Sequence, residues 1–332
     1  MGYTLRRMFA MRTTAPAKPR PFDELDHKLI VGVHDHYLIT AELLTLLYFK
    51  LGTKTTVQEH LPGLVKRRYL RYFPLRTTKG NGSHVYYLGT KGIEHCMDAG
   101  YDMDTYYLPK KAKEPSYPVL VHTLELNTYL AYAAAFARTN GMDLAMQHDF
   151  SLRKQPVKVT LPTQVEGRWV DEAHTISADA FLTFQLPDGS KRWFWHEHDT
   201  GEESQKQVKQ HLRGILAFLM AEGYKTAFGA GGVTITYATA GKRDRVEHLR
   251  TWTRDVLLER DHLVKAGAFG TAFSNEAGKA NLQRSYAQYF LFTRVPPLLS
   301  ARIDTNILFT QPVWYPPFGL KPTALFHVSH VL

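Results

Sequence analysis

The chain has 332 residues, 44% hydrophobic and 12% aromatic, so it can bury a sizeable core and is not globally disordered. Its formal net charge of +10 is uneven: residues 1–92 carry 15 Lys and Arg against 6 Asp and Glu, and the other 240 carry 26 against 25. A lone cysteine, Cys96, excludes an internal disulfide and a cysteine-based zinc site, and no apolar run of 18 residues proposes a membrane span.

Residues 1–20 carry Arg6, Arg7, Arg12, Lys18 and Arg20 with no compact apolar stretch, which reads as a basic flexible arm and not a secretory signal. Apolar residues then recur at helical spacing from Leu25 to Tyr37. Thr40 is placed to cap a second short helix around Leu43, Leu44 and Leu47, ended by Gly52. Thr56 and Glu59 have capping-box spacing and predict the start of a third helix, which Pro62-Gly63 should interrupt. Two strand-like runs, Tyr69–Phe73 and Val85–Leu88, flank the Gly-rich Lys79–Gly82 and predict a hairpin. Three short helices and a hairpin make a winged-helix domain over 21–100. Pro109, Pro115 and Pro118 mark 101–118 as a linker. A Leu- and Ala-rich helix follows from His122 to Arg138. Strands are expected at Gln147–Leu152, Ala178–Gln185 and Arg192–His198, with a turn at Pro187–Ser190. Helical spacing returns over Glu203–Met220 and Arg243–Glu259, on either side of a strand at Val233–Ala238, and a Pro-rich, β-like tail closes the chain. The fold class is α+β, with a mixed α/β domain over 119–332.

The basic excess concentrates on Lys54, Lys66, Arg67, Arg68, Arg71, Arg76 and Lys79, at the third helix and the hairpin. Cations at such an exposed helix suit phosphate neutralisation, so double-stranded DNA is the expected partner, with no membrane role. In the second domain three acids stand out. Asp179 heads one strand, and Glu197 and Asp199 end the next. Residues i and i+2 of a strand share a face, so a hairpin can bring all three together, where they would suit Mg²⁺ or Mn²⁺. Lys206 and Lys209 follow on a helix and could meet a phosphate. The blander reading makes the three acids ordinary strand-end residues on a solvated turn. His196 and His198 share the opposite face and read as hydrogen-bonded surface histidines, since the residue between them is Glu197 and not a bulky apolar one. His122 and Glu125, one helical turn apart, read as helix-surface residues or as supports of the acids.

The order of these features resembles the replication-relaxation family of plasmid and mobile-element proteins. The resemblance is carried by Val85-Tyr86-Tyr87-Leu88-Gly89-Thr90-Lys91-Gly92, by the helix opening Leu120–Asn127, by Ile176–Ala180 and by Phe194–Glu203. It implies a catalytic domain like that of PD-(D/E)xK restriction endonucleases and of MOBC-type relaxases, with metal-dependent DNA nicking or relaxation and with Asp179, Glu197 and Asp199 as the metal-binding acids. Three positions depart from the family pattern: Ala178 stands for a proline, His211 for a helix lysine, and Asp199 for the usual nuclease lysine. The expectation is a cytoplasmic DNA-processing protein working with other replication or mobilisation proteins. A non-enzymatic initiator, accessory factor or regulator on the same scaffold is the alternative.

Overall fold

The computed structural model describes residues 21–49, 54–77, 80–103, 115–165, 168–240, 244–258, 285–295 and 305–326. The basic arm (1–20), Gly52, Lys79 and most of the expected linker lie outside them, as do the side chains of Lys54 and Arg76.

The N-terminal unit begins with helix α1 (Glu24–His36), capped by the Asp23 side chain on the Asp26 amide. Strand β1 (Ile39–Thr40) leads into α2 (Ala41–Tyr48), where Thr40 Oγ1 accepts from the Leu43 amide as the sequence predicts. Helix α3 (Lys54–Lys66) differs from expectation twice. It starts before Thr56, so Thr56 and Glu59 are not a capping box, and it runs through Pro62. Pro62 and Gln58 are both exposed, so the carbonyl that the ring cannot bond is left near water instead of stranded in the core. The hairpin β2 (Leu70–Thr77) and β3 (Gly80–Leu88) joins β1 in a three-stranded sheet of order β1-β3-β2. Helix α4 (Thr90–Asp98) follows. The glycines before and inside it have a steric cause: a Cβ on Gly89 would lie 2.4 Å from the Arg68 carbonyl oxygen, and one on Gly92 2.2 Å from that of Tyr69.

Helix α5 (Tyr117–Thr139) spans 23 residues and is buried on almost every side. Leu120 and Leu124 pack on Phe73, Leu75 and Val85 of the hairpin. Ala131 joins the core of the N-terminal helices. Leu126, Tyr129, Leu130, Ala133 and Phe136 pack on the main sheet. That sheet has five strands in the order β10-β9-β8-β7-β4. Strand β7 (Ala180–Gln185) runs antiparallel to both of its neighbours, β4 (Asp143–His148) and β8 (Lys191–Asp199), while β9 (Thr234–Thr239) and β10 (Phe290–Arg294) run parallel to β8. The chain is thus mixed α+β. Helices α7 (Gln205–Met220), α8 (Gly223–Phe228) and α9 (Arg245–Leu258) build the opposite layer around Trp195, Phe218 and Ile235. Its base takes in the two-stranded ribbon β5 (Val157–Val165) and β6 (Arg168–Ile176), and α10 (Thr305–Thr310) lies against α5. The expected strand Gln147–Leu152 is corrected: β4 ends at His148, and α6 (Asp149–Lys154) begins there, with Asp149 bridged one turn on to Arg153.

Where the two units meet, α5 carries one buried polar residue with every bond satisfied. Asn127 Nδ2 donates to the carbonyls of His36 and Leu38 at 2.8 and 2.7 Å, groups that can only accept. Its Oδ1 therefore faces His36 Nδ1 and His148 Nε2, at 3.1 and 3.0 Å, and both rings donate to it. Burial, with the His148 charge adding to it, pushes His36 down to about 4, which keeps that ring neutral at pH 7. The same knot holds the turn at Tyr37, whose φ is 61°. Removing it strands several buried groups at once, each costing about 1–3 kcal/mol. Asn127→Ala should therefore lower the unfolding free energy by roughly 3 kcal/mol in urea titrations. A loss below about 1 kcal/mol would contradict this account of the junction.

Candidate functional site

The site forms at the carboxyl end of β8, where three strands place side chains in a row. Ala180 pairs with His196, so Asp179 stands beside Glu197, and Glu197 pairs in turn with Tyr237 of β9. Asp179 sits just before β7, at the sheet's end, where either helical layer can reach it. Its Oδ2 accepts from the His198 amide at 2.8 Å and from His122 Nε2 of α5 at 3.2 Å. Glu197 faces the other layer. Its Oε1 accepts from Trp195 Nε1 at 2.5 Å and from His211 Nε2 of α7 at 2.9 Å. Alternation puts His196 and His198 on the α5 face. His198 Nε2 meets Glu125 Oε2 at 2.9 Å, and His196 bonds Thr236 and stacks on Tyr129 with ring centroids 3.6 Å apart. Both histidines are buried, which corrects their reading as surface residues. His122 and Glu125 are likewise site supports, not plain helix surface.

The cleft is built from carboxylate–histidine pairs. Burial opposes a charge on His122, but the Asp179 charge and hydrogen bond together outweigh it, and its pKa is pushed up to about 9. His211 rises to about 9 for the same reasons, with Glu197 as the partner. Asp179 moves the other way: burial raises it, and His122 and the His198 amide pull it well below the usual carboxylate range. Glu197 is raised by burial, with the Asp179 charge adding to it, so the two carboxylates sense each other. Burial also raises Glu203 and Tyr237. The Tyr237 hydroxyl is buried beside these acids with no hydrogen-bond partner among the described residues.

The third expected ligand points elsewhere. Both Asp199 oxygens are held by Arg245 of α9, at 2.8 and 2.6 Å. Asp179, Glu197 and Asp199 therefore do not close on one point. Among the described residues, three ligand-type groups converge within 4.8 Å only at Asp23, Asp26 and His60, and there His60 and Arg67 already hold the Asp26 oxygens. What remains for a hard divalent ion is Asp179 Oδ1 and Glu197 Oε2, neither bonded among the described residues. Two carboxylates, with further oxygen ligands supplied from outside the chain, would suit Mg²⁺. A three-carboxylate cage does not fit.

The lysines fare differently. Lys209 bridges to Asp255 of α9 at 2.8 Å, which makes it a tie between helices, and Lys206 is exposed at the start of α7. The position facing Glu197 on α7 belongs to His211. The signal was present in the sequence, since His211 sits among Val208, Leu212 and Ile215 on the apolar stripe of that helix. In the N-terminal unit Lys66, Arg68 and Arg71 are exposed. Arg67 is not: it pairs with buried Asp26 at 2.7 Å and lies over the rings of Phe22 and Tyr69.

The sequence model described as Replication-relaxation matches residues 32–230, which include β1–β8, α7 and every member of the Asp179–Glu197 cleft except Tyr237. This chain belongs to the replication-relaxation family. Membership suggests a role in replication or mobilisation. No curated protein and no solved structure matches the chain. No described helix is long and apolar enough to cross a membrane.

The two histidines give a stability signature. Each binds its proton more tightly in the folded chain, at about 9 against 6.5, so its contribution is complete below pH 6.5 and is lost as pH rises through 9. Stability should thus fall between pH 6.5 and 10, on the order of 1–3 kcal/mol per pair. His122→Gln and His211→Gln should each flatten that fall when melting is followed across the range. An unchanged slope in both variants would refute the pairing.

Proposed function

We propose that this protein binds duplex DNA through its N-terminal unit, a winged helix, and cuts one strand of the DNA backbone at the Asp179–Glu197 cleft during replication or mobilisation of a plasmid or other mobile element. One observation carries the reading. The helix that supplies His122 to the cleft is also the helix on which the basic unit is packed, so DNA held by one lies against a body fixed to the other. Lys66, Arg68 and Arg71 are the exposed cations that would neutralise phosphates, and Arg67 has the different task of bracing α3. The order of the cleft, an acid before one strand and a second acid late in the next, supports a domain of the PD-(D/E)xK restriction-endonuclease kind. Asp199 then stands where such nucleases carry lysine.

A divalent ion, Mg²⁺ or Mn²⁺, would be held by Asp179 and Glu197. When bound it supplies charge stabilisation to a phosphate and a more acidic water. The chain's own residues do the rest. His122 and His211 hold the two carboxylates in place, the His198 amide fixes the Asp179 rotamer, and Trp195 fixes that of Glu197. A second reading, a DNA-binding initiator, accessory factor or regulator without chemistry, is favoured by the diversion of Asp199 to Arg245, which leaves the cleft short of the third acid.

Supercoiled plasmid carrying the native origin region separates the two. Incubation with Mn²⁺, Mg²⁺ or EDTA should give metal-dependent open circles with the parent protein and none with Asp179→Ala or Glu197→Ala. Plasmid that is retarded but intact in every lane would select the second reading, and undiminished nicking by Glu197→Ala would remove the site assignment. Replacing Lys66 and Arg68 by Glu should weaken duplex binding at least about tenfold at physiological salt, measured by fluorescence anisotropy.

A further inference from the structure

Arg245 lies outside the segment matched by the family model, and nothing in the sequence distinguishes it from the other arginines of the chain. The structure does. Its Nε donates to Asp199 Oδ2 at 2.8 Å, and its Nη2 donates to Asp199 Oδ1 at 2.6 Å and to the Glu203 carbonyl at 3.0 Å. The guanidinium also lies 4.9 Å from the centroid of the Trp252 ring. The side chain is thus held by three hydrogen bonds and a ring face, with only 11% of it exposed and Asp199 at 5%.

Such a fork is oriented before any ligand arrives. Nε and Nη2 are committed, while Nη1 has no partner among the described residues. The cleft lies next to it. Asp199, which Arg245 holds, is two residues beyond Glu197 on the same face of β8, and Arg245 also bonds the carbonyl of Glu203 just before α7, the helix that supplies His211 to Glu197. A planar pair of N–H donors at the rim of a carboxylate cleft suits a phosphate oxygen. Asp199 offsets much of the positive charge, so the pair serves short-range orientation more than long-range attraction.

We propose that Arg245 binds a backbone phosphate of the DNA that enters the cleft, and that Asp199 is its positioning residue and not a metal ligand. This rests on the reading that duplex DNA is the substrate. It assigns the two N–H groups of Nη1 to a phosphodiester oxygen, and no bond is made or broken at Arg245.

The test is binding of a fluorescein-labelled duplex of the native origin region to the full chain in EDTA, over a salt series. Removing one phosphate contact lowers the slope of log K against log salt by about 0.9. Arg245→Gln should show that decrease together with weaker binding. Arg245→Lys keeps the cation, so it should retain the parental slope but bind several-fold more weakly, because an ammonium cannot span the fork. A residue that only ties α9 to β8 would change the melting temperature and leave the slope alone, and an unchanged slope in Arg245→Gln overturns the proposal. If Arg245→Gln does not fold, parental affinity in Arg245→Lys overturns it instead. A tenfold loss of Mn²⁺ affinity in Asp199→Asn, by titration calorimetry, overturns the role given to Asp199. Salt-dependent binding that responds to Lys66 and Arg68 but not to Arg245 rejects this inference alone, whereas a parent chain with no DNA affinity rejects the underlying function as well.

Discussion

Helix α5 is the element that the rest of the molecule depends on, and Asn127 is its decisive residue. An apolar helix buried on all sides has no preferred neighbour, because hydrophobic contact is not directional. Asn127 adds direction. Four hydrogen bonds at one side chain reach the end of α1, the residue just before β1, and the end of β4, and each must be made because Asn127 is fully buried. Contact with apolar surface on both units supplies most of the attraction, and this polar knot sets the register. With that register set, His122 arrives beside Asp179.

The cleft shows how a protein can keep several acids together in a half-dry setting. Each carboxylate has its own partner: His122 for Asp179, His211 for Glu197, Arg245 for Asp199, and His198 for Glu125 on the far face. Burial penalises the charges of the first three pairs, and pairing recovers part of the penalty. The arrangement has a chemical consequence. Histidines that hold protons to about 9 tether the two acids without closing them on a single point, and Asp179 Oδ1 and Glu197 Oε2 stay unbonded among the described residues.

The helices and strands were largely legible, because period and caps are local. The α1 stripe, the Thr40 cap, the hairpin and the stripe of α7 all follow from spacing along the chain. Errors came where local rules compete. Pro62 predicts a break, but its position on the exposed side of α3 makes the missing bond tolerable. Residues 149–152 continue a strand-like pattern, yet Asp149 and Arg153 favour a helical turn. At the site, the strand positions of Asp179 and Glu197 and the opposite facing of His196 and His198 were readable from alternation. Their pairings were not: His122 and Arg245 come from helices distant in the chain, and His211, though near in sequence and marked by the α7 stripe, meets Glu197 only through the packing of α7 on the sheet.

By itself the sequence determined the α+β class, the concentration of positive charge in the first quarter of the chain, and the two strand ends that bear the acids. These are properties of composition and short-range periodicity. Only the tertiary structure decided what each charged group faces. Arg67 became a brace and Lys209 a tie between helices, while Asp199 was claimed by Arg245 and His211 took the position opposite Glu197. The reason is physical: a buried charge takes whichever partner the packing brings within hydrogen-bond reach, and that partner is chosen by the crossing of helices over the sheet, which spacing along one strand does not encode.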